Sequence, residues 1–157
     1  MYSTAEEHFK TLDRTIPNEA DYDLAIRFAP TLLFDKREPF LPSVVGYTVF
    51  RESSESPSFP RQIELDGDAT IAIEYAVWWD WDIQHLYELE HIWIYLNAAE
   101  DVVRVDASWH GGCNQMQLAD GALPMKDGRV TLHSESGKHA FAATRRPLLD
   151  RLATPDQ

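Results

Sequence analysis

The stretch TIAIEYAVWWDWDIQHLYELEHIWIYLNAAEDVVRVDASW, residues 70–109, decides the fold of this chain. It contains three segments that are rich in β-branched and aromatic residues and are separated by turns rich in Asp, Asn and Glu. The three predicted strands are Thr70–Trp79, Glu88–Leu96 and Val102–Trp109. Short strands with turn signals between them are typical of a β-sandwich or barrel.

The same pattern extends to both sides of this stretch. Further strands are predicted at Thr31–Phe34, Val44–Arg51, Gln62–Leu65 and Arg129–Ser134. The polar, proline-containing segment Ser53–Pro60 is predicted to be an exposed loop. Because strands and helices do not alternate, the pattern argues against a parallel doubly wound sheet. We therefore predict a mainly β protein, a jelly-roll-like antiparallel β-sandwich with short N-terminal helices.

Helices are predicted only near the two ends of the sequence. One helix is expected at Ser3–Leu12, and a second, capped by Asn18, at Glu19–Phe28. The segment Pro147–Leu152 is expected to form a short amphipathic helix at most. The predicted organisation is one domain, 1–157, with a helical extension (1–28) packed on a β-sandwich (29–141) and a C-terminal tail (142–157).

Composition excludes several classes of protein. The chain has 157 residues, of which 44% are hydrophobic, and its formal net charge is -12. This length suits one domain with one core, and the composition is not that of collagen, a coiled coil or a disordered chain. The negative charge argues against binding to nucleic acid or to anionic membranes, because both need clustered basic side chains.

The expected cellular location follows from features that the sequence lacks. The single cysteine, Cys113, excludes an internal disulfide. The sequence also has neither the pattern of a signal peptide nor an apolar run long enough to span a bilayer. A cytoplasmic protein is therefore expected, or a secreted one if a signal peptide has been removed.

Acidic residues are concentrated in the middle of the chain. Between Glu64 and Asp106 there are 11 acidic residues and one basic residue, Arg104. Strand alternation places Glu88 and Glu90 on the same face as Ile92, Ile94 and Leu96. That face therefore runs from two carboxylates into the predicted core, where a carboxylate needs a partner. On the next strand Asp106, Ser108 and His110 share a face.

These carboxylates and a nearby imidazole form a candidate site for a divalent cation. The candidate ligands are Asp80, Asp82, His85, Glu88 and Glu90. Carboxylate oxygens suit hard cations such as Mg or Ca, and a histidine shifts the preference towards Mn or Zn. In the alternative interpretation, Glu88 and Glu90 lie on an exposed strand edge and pair with Lys or Arg.

The sequence resembles the necrosis- and ethylene-inducing-peptide-like toxins and the related vacuolar-protein-sorting-62-like domains. The toxin motif His-x-x-Asp-x-Glu, followed by an apolar strand, corresponds to His85–Glu90, HLYELE, followed by HIWIYL. The vacuolar-sorting landmarks correspond to APTLLFDKREPFLP (29–42), IEYAVWWDWD (73–82), a His-Gly (110–111) and GKHA (137–140). The landmarks occur in order from about residue 29 to residue 141.

This resemblance implies a β-sandwich that holds a divalent cation at one end. Its ligands would be His85, Glu88, Glu90 and an upstream aspartate, Asp80 or Asp82. Asp80 is preferred because it shares strand parity with Trp78 and ends the predicted strand. His110 and His139 match later landmarks and would line the same pocket. Glu88 replaces the family's Asp, Leu89 its Trp and Gln84 its Gly.

Three functions are compatible with these residues. In the first, the cation recognises a small-molecule or carbohydrate ligand, or a polar headgroup, with Trp78, Trp81 and Asp106 as further ligand-binding residues. In the second, a metal-dependent hydrolase uses His110 or His139 as general acid or base. In the third, the site is degenerate and the protein is a structural or interaction module. Exposed aromatic edges make a homodimer a further expectation, while alternation assigns Trp79 to the core.

Overall fold

The computed structural model describes residues 18–83, 86–109, 111–145 and 147–148. The predicted helix Ser3–Leu12 and all but the first two residues of Pro147–Leu152 lie outside these ranges, as do His85 and His110. Among the described residues, no helix has the length and apolarity needed to cross a membrane.

The described chain is mainly β and has one helix, α1 (Glu19–Phe28). The strands are β1 (Thr31–Leu33), β2 (Val44–Phe50), β3 (Ser54–Glu55), β4 (Gln62–Ile63), β5 (Ile71–Trp79), β6 (Glu88–Leu96), β7 (Val102–Trp109), β8 (Gly112–Gln115), β9 (Met125–Lys126), β10 (Arg129–Ser134) and β11 (Phe141–Ala142). All seven predicted strands are present, and the bounds of β6, β7, β10 and α1 match the prediction. The short strands β3, β8, β9 and β11 were not predicted.

Two sheets make up the predicted β-sandwich, which is confirmed. The larger sheet has the order β2-β5-β6-β7-β8 and is antiparallel throughout. The smaller sheet contains β1, β10 and β11 in that order, and β9 also pairs with β10. Within it β1 and β10 are parallel, which departs from a purely antiparallel arrangement. A separate hairpin is formed by β3 and β4.

Both faces of β6 are buried, in two different apolar clusters. Ile92, Ile94 and Leu96 pack with residues of β5, β7, β10, β11 and α1 in the main core. Trp93 and Tyr95 point to the opposite face, where Phe59 and Ile63 from the β3–β4 region cover them. The alternation predicted for β6 is therefore confirmed, and Trp79 lies in the main core as expected.

The helix α1 is fixed at both ends by side chains. The Asn18 side chain accepts a hydrogen bond from the backbone N–H of Ala20 at 3.1 Å, as an N-cap residue does. At the other end, Arg129 of β10 donates to the carbonyl oxygens of Ile26 (3.2 Å) and Ala29 (2.9 Å). This contact satisfies carbonyl groups at the helix C-terminus and ties the helix to the smaller sheet.

Candidate functional site: an acidic rim of the sandwich

Four carboxylates interact at the end of the sandwich where β6 begins. Glu90 is 5% exposed, and the charges of Glu88, Glu135 and Asp82 all act on its carboxyl group. Glu88 and Glu90 belong to β6, Asp82 follows β5, and Glu135 follows β10. We call these four residues the acidic rim. The first three were candidates from the sequence, whereas Glu135 was missed.

A local break in strand pairing positions Glu90. Backbone pairing between β6 and β7 is in register from Ile92–Ala107 to Tyr95–Arg104, and it shifts between Tyr95 and Leu96. Just before Ile92, the Ser108 hydroxyl accepts a hydrogen bond from the His91 N–H at 2.6 Å. The same hydroxyl donates to the carboxylate of Glu90. A side chain thus replaces a backbone partner at this point, and it holds the Glu90 carboxylate at the sheet end.

The Glu90 carboxyl group is far easier to protonate than an ordinary glutamate. Burial raises its pKa to about 7, and the neighbouring charges of Glu88, Glu135 and Asp82 act in the same direction. The hydrogen bond from Ser108 opposes this shift, because it stabilises the carboxylate form. At neutral pH this group is therefore close to the midpoint between its protonated and charged forms.

The two candidate aspartates have different surroundings. Asp82 is 8% exposed and acts on Glu90. Asp80 is exposed, and it accepts hydrogen bonds from the Ser43 hydroxyl (2.5 Å) and from Trp78 Nε1 (3.0 Å). These bonds lower the pKa of the Asp80 carboxyl group. The sequence favoured Asp80 because it was predicted to end the strand that contains Trp78. In the structure β5 ends at Trp79, so strand alternation does not determine the direction of either aspartate.

His139 is a buried part of the scaffold beside the acidic rim. Its ring is 0% exposed and stacks on Trp79 with ring centroids 4.4 Å apart. Its Nε2 lies 3.4 Å from Glu38 Oε1, and Glu38 Oε2 accepts the Gly137 N–H at 2.8 Å. Glu38 and His139 belong to two of the sequence landmarks, which meet here. In this position His139 braces two loops and has no exposed face towards a substrate.

Gly137 is a position where both backbone conformation and space require glycine. Its φ is +77°, and a Cβ there would lie 2.8 Å from Ile83 Cγ2. We expect Gly137→Ala to destabilise the fold by about 2 kcal/mol, since strain and a clash add. Gly128, with the same φ of +77° and nothing within 4 Å of a Cβ, is the matched control. Urea unfolding should show a larger decrease in the free energy of unfolding for Gly137→Ala than for Gly128→Ala. Equal decreases would show that a clash with Ile83 does not contribute.

Aromatic rings near the rim offer flat surfaces to a ligand. Trp78 stacks on Tyr87 with centroids 5.0 Å apart and planes 8° apart. Tyr87 is 59% exposed and Trp81 is 55% exposed. Of the predicted ligand-binding tryptophans, Trp81 is thus open to solvent and Trp78 is partly covered by its stacking partner.

Asp106, the third predicted ligand-binding residue, points away from the rim. It pairs with Trp93 in the β6–β7 register and faces the β3–β4 side of the larger sheet. Arg61 contacts its carboxylate at 2.9 Å, and Arg104 lies 3.4 Å from the same oxygen. Asp106 is therefore paired with two arginines, and the structure does not bring it together with Glu90.

A second polar cluster contains a serine and a histidine in contact. Ser58 Oγ lies 2.9 Å from His91 Nε2 and 2.9 Å from Glu74 Oε1. The N–H groups of Ser58 and Phe59 both donate to Ser56 Oγ, so neither is available as an oxyanion donor. Within the described residues His91 Nδ1 has no hydrogen-bond partner that could orient the ring. The cluster therefore anchors the loop between β3 and β4 to the sheet.

The rim carboxylates are coupled electrostatically without forming a coordination sphere. Among the described residues, no three His, Cys, Asp or Glu side chains have the arrangement of a metal site. His85, which the sequence places just before Glu88, and His110 lie outside the described residues.

Comparisons with known proteins define the fold class. No family model matches the chain, and no curated protein matches it significantly in sequence. The fold is similar to that of NLPPya, a necrosis- and ethylene-inducing-like protein, in its complexes with glucosamine and with mannosamine. Each match has a TM-score of 0.55, at 20% and 19% identity, and covers 82% of this chain and 69% of NLPPya. A triple mutant of NLPPya matches with the same TM-score at 21% identity. The chain therefore has an NLP-like β-sandwich fold.

Proposed function

We propose that this protein binds a divalent cation at the acidic rim and uses it to recognise a carbohydrate or another polar headgroup. The proposed ligands are Glu88, Glu90 and Asp82, with His85 from the motif and Glu135 from the opposite sheet. The observation that carries the proposal is the Glu90 carboxyl group, which is buried and whose pKa is raised by burial and by three neighbouring carboxylates.

The chemistry of these side chains fits a hard cation. Carboxylate oxygens are the usual ligands of Mg, Ca and Mn, and participation of His85 would add Mn and Zn to the candidates. A bound cation would supply positive charge that offsets the repulsion within the rim and would offer open coordination positions to hydroxyl groups. The chain's own contribution is to hold Glu90 in place through Ser108 and to present the other carboxylates from three loops and strands.

The proposed ligand class is supported by the aromatic surface and by the structural neighbours. Sugar rings pack on flat aromatic faces, and Trp81 and the Trp78–Tyr87 pair lie close in sequence to Asp82 and Glu88. NLPPya, which shares the fold, is described in complex with glucosamine and with mannosamine. The resemblance to vacuolar-protein-sorting-62-like domains depends on the sequence landmarks alone.

The cation part of the proposal is tested by thermal unfolding with and without Ca, Mg, Mn or Zn at pH 8. A bound ion should stabilise the native state by about 3 kcal/mol at a concentration about a hundred times its Kd. Glu90→Gln should abolish this effect because it removes a ligand charge, and Asp80→Asn is the control that should retain it. If added ions stabilised wild type and Glu90→Gln equally, the acidic rim would not be the cation site.

The carbohydrate part is tested by titrating glucosamine and mannosamine into the ion-loaded protein. We expect binding that EDTA removes and that Trp81→Ala weakens. Binding of neither sugar with the ion in place would contradict this part while leaving the cation site intact. The second candidate function is a metal-dependent hydrolase. Such an enzyme would turn over an ester or a glycoside, and His110→Ala would abolish turnover without loss of the bound ion.

A further inference from the structure

A cavity of about 590 Å³ lies at the end of the smaller sheet, where the parallel strands β1 and β10 finish. Its lining includes the basic side chains of Lys36, Arg37 and Arg145. This volume is in the range of small-molecule sites. We call it the basic cavity.

One partly buried carboxylate contacts both arginines of the basic cavity. Arg37 Nε contacts Asp35 Oδ1 at 3.1 Å, and Arg145 contacts the other oxygen, Oδ2. The Asp35 side chain is 13% exposed, whereas those of Arg37 and Arg145 are 68% and 58% exposed. Each guanidinium has five N–H donors, so both keep donors for a ligand after binding Asp35.

The basic cavity carries positive charge within a strongly acidic protein. Its lining has three basic side chains against two carboxylates, Asp35 and Glu135, in a chain with a net charge of -12. Burial, together with the charge of Arg145, lowers the pKa of His133 on the same lining. A local cationic surface of this kind attracts anions.

The remaining lining is largely apolar. Leu33, Phe34 and Leu148 contribute to it, and Phe34 also packs against the main core. A simple inorganic anion would satisfy the basic groups but would leave this apolar surface in contact with water. A ligand that combines one anionic group with an apolar body would use both parts of the lining.

We propose that the basic cavity binds an amphipathic organic anion, a carboxylate or phosphate group attached to an apolar body. Arg37, Arg145 and Lys36 contact the anionic group, and Leu33, Phe34 and Leu148 contact the apolar body. The site does not need the cation of the acidic rim. Glu135 lies at both the basic cavity and the acidic rim. Binding is therefore measured in EDTA, so that a cation at the acidic rim cannot contribute to it.

The probes are octanoate, octyl phosphate, octanol and inorganic phosphate, titrated calorimetrically into the full chain. We expect octanoate or octyl phosphate, or both, to bind at least about tenfold more tightly than octanol and than inorganic phosphate. A preference between the two anions identifies the headgroup. Binding should weaken as salt is raised, because the ion pairs are partly exposed.

Variants distinguish this site from non-specific binding. Arg145→Gln should weaken binding about tenfold, and Lys36→Gln, an exposed lining residue, should weaken it with no loss of stability. Arg27→Gln, which removes an exposed arginine paired with Glu100 at 2.5 Å elsewhere, is the matched control and should leave affinity unchanged. The proposal would be overturned if neither anion bound more tightly than octanol, if neither anion bound at all, or if both cavity variants kept the wild-type affinity.

Discussion

Replacement of Trp93 by alanine is expected to lower the free energy of unfolding by about 3–5 kcal/mol. Trp93 is 0% exposed at the centre of β6, the middle strand of the larger sheet. Its ring packs edge-on against Phe59 at 5.1 Å and under the Arg61 guanidinium at 4.3 Å. The substitution therefore leaves a large cavity on the face that the β3–β4 hairpin covers.

Trp93→Ala removes a hydrogen bond as well as apolar packing. Trp93 Nε1 donates a hydrogen bond to Glu74 Oε2 at 2.6 Å, and Glu74 is 1% exposed. Without that donor a buried carboxylate keeps one fewer hydrogen bond, which adds to the cost. Urea denaturation measures the effect, and Trp81→Ala, at a residue 55% exposed, is the control, expected to change stability by less than about 1 kcal/mol. A near-neutral Trp93→Ala would mean that this face of β6 is not buried.

In the absence of divalent ions, the contribution of Glu90 to the free energy of unfolding is expected to fall as pH rises from about 4.5 to about 7. Its carboxyl pKa is about 7 in the folded protein, whereas the ordinary glutamate value of 4.5 applies to the unfolded chain. Between these values the folded state binds more protons than the unfolded state, so the free energy of unfolding decreases with pH. The full effect is about 3 kcal/mol and is complete above pH 7.

Two histidines have the opposite effect on the pH dependence of stability. Burial lowers the pKa values of His91 and His133, so their contribution to stability rises with pH. The measurement is therefore the difference between wild type and Glu90→Gln in urea unfolding at pH 5 and pH 8. Glu90→Gln should gain stability relative to wild type at pH 8. A difference that does not change with pH would show that the Glu90 pKa is not raised.

The strands that could be predicted are those whose own residues are hydrophobic, β-branched or aromatic along most of their length. In β6, alternating residues face two separate apolar clusters, so the segment is hydrophobic or aromatic along most of its length and its bounds matched. Strands β3, β9 and β11 have two residues each and β8 has four; the residues of β3, β8 and β9 are exposed, and those of β11 are buried. Such short strands exist because of the partner that they pair with, which no local pattern records.

The candidate site was predictable in its β6 part and less so elsewhere. Glu88 and Glu90 follow from alternation within one strand. The choice between Asp80 and Asp82 depends on how the chain turns after Trp79, and Glu135 reaches the rim from the other sheet. The partners of Asp106 and His139, Arg61 and Glu38, are 45 and 101 residues away in sequence. Contacts at such separations depend on the tertiary fold, not on local spacing.

The most direct test of the cation proposal is calorimetric titration of Ca, Mg, Mn and Zn into the metal-free protein at pH 6 and pH 8. We expect one ion per chain for at least one of these metals, tighter binding at pH 8, and release of a proton at pH 6, because the ion displaces the Glu90 proton. Glu90→Gln should lose this binding, and Asp80→Asn should keep it. Absence of binding at both pH values, or equal binding by Glu90→Gln, would contradict the account.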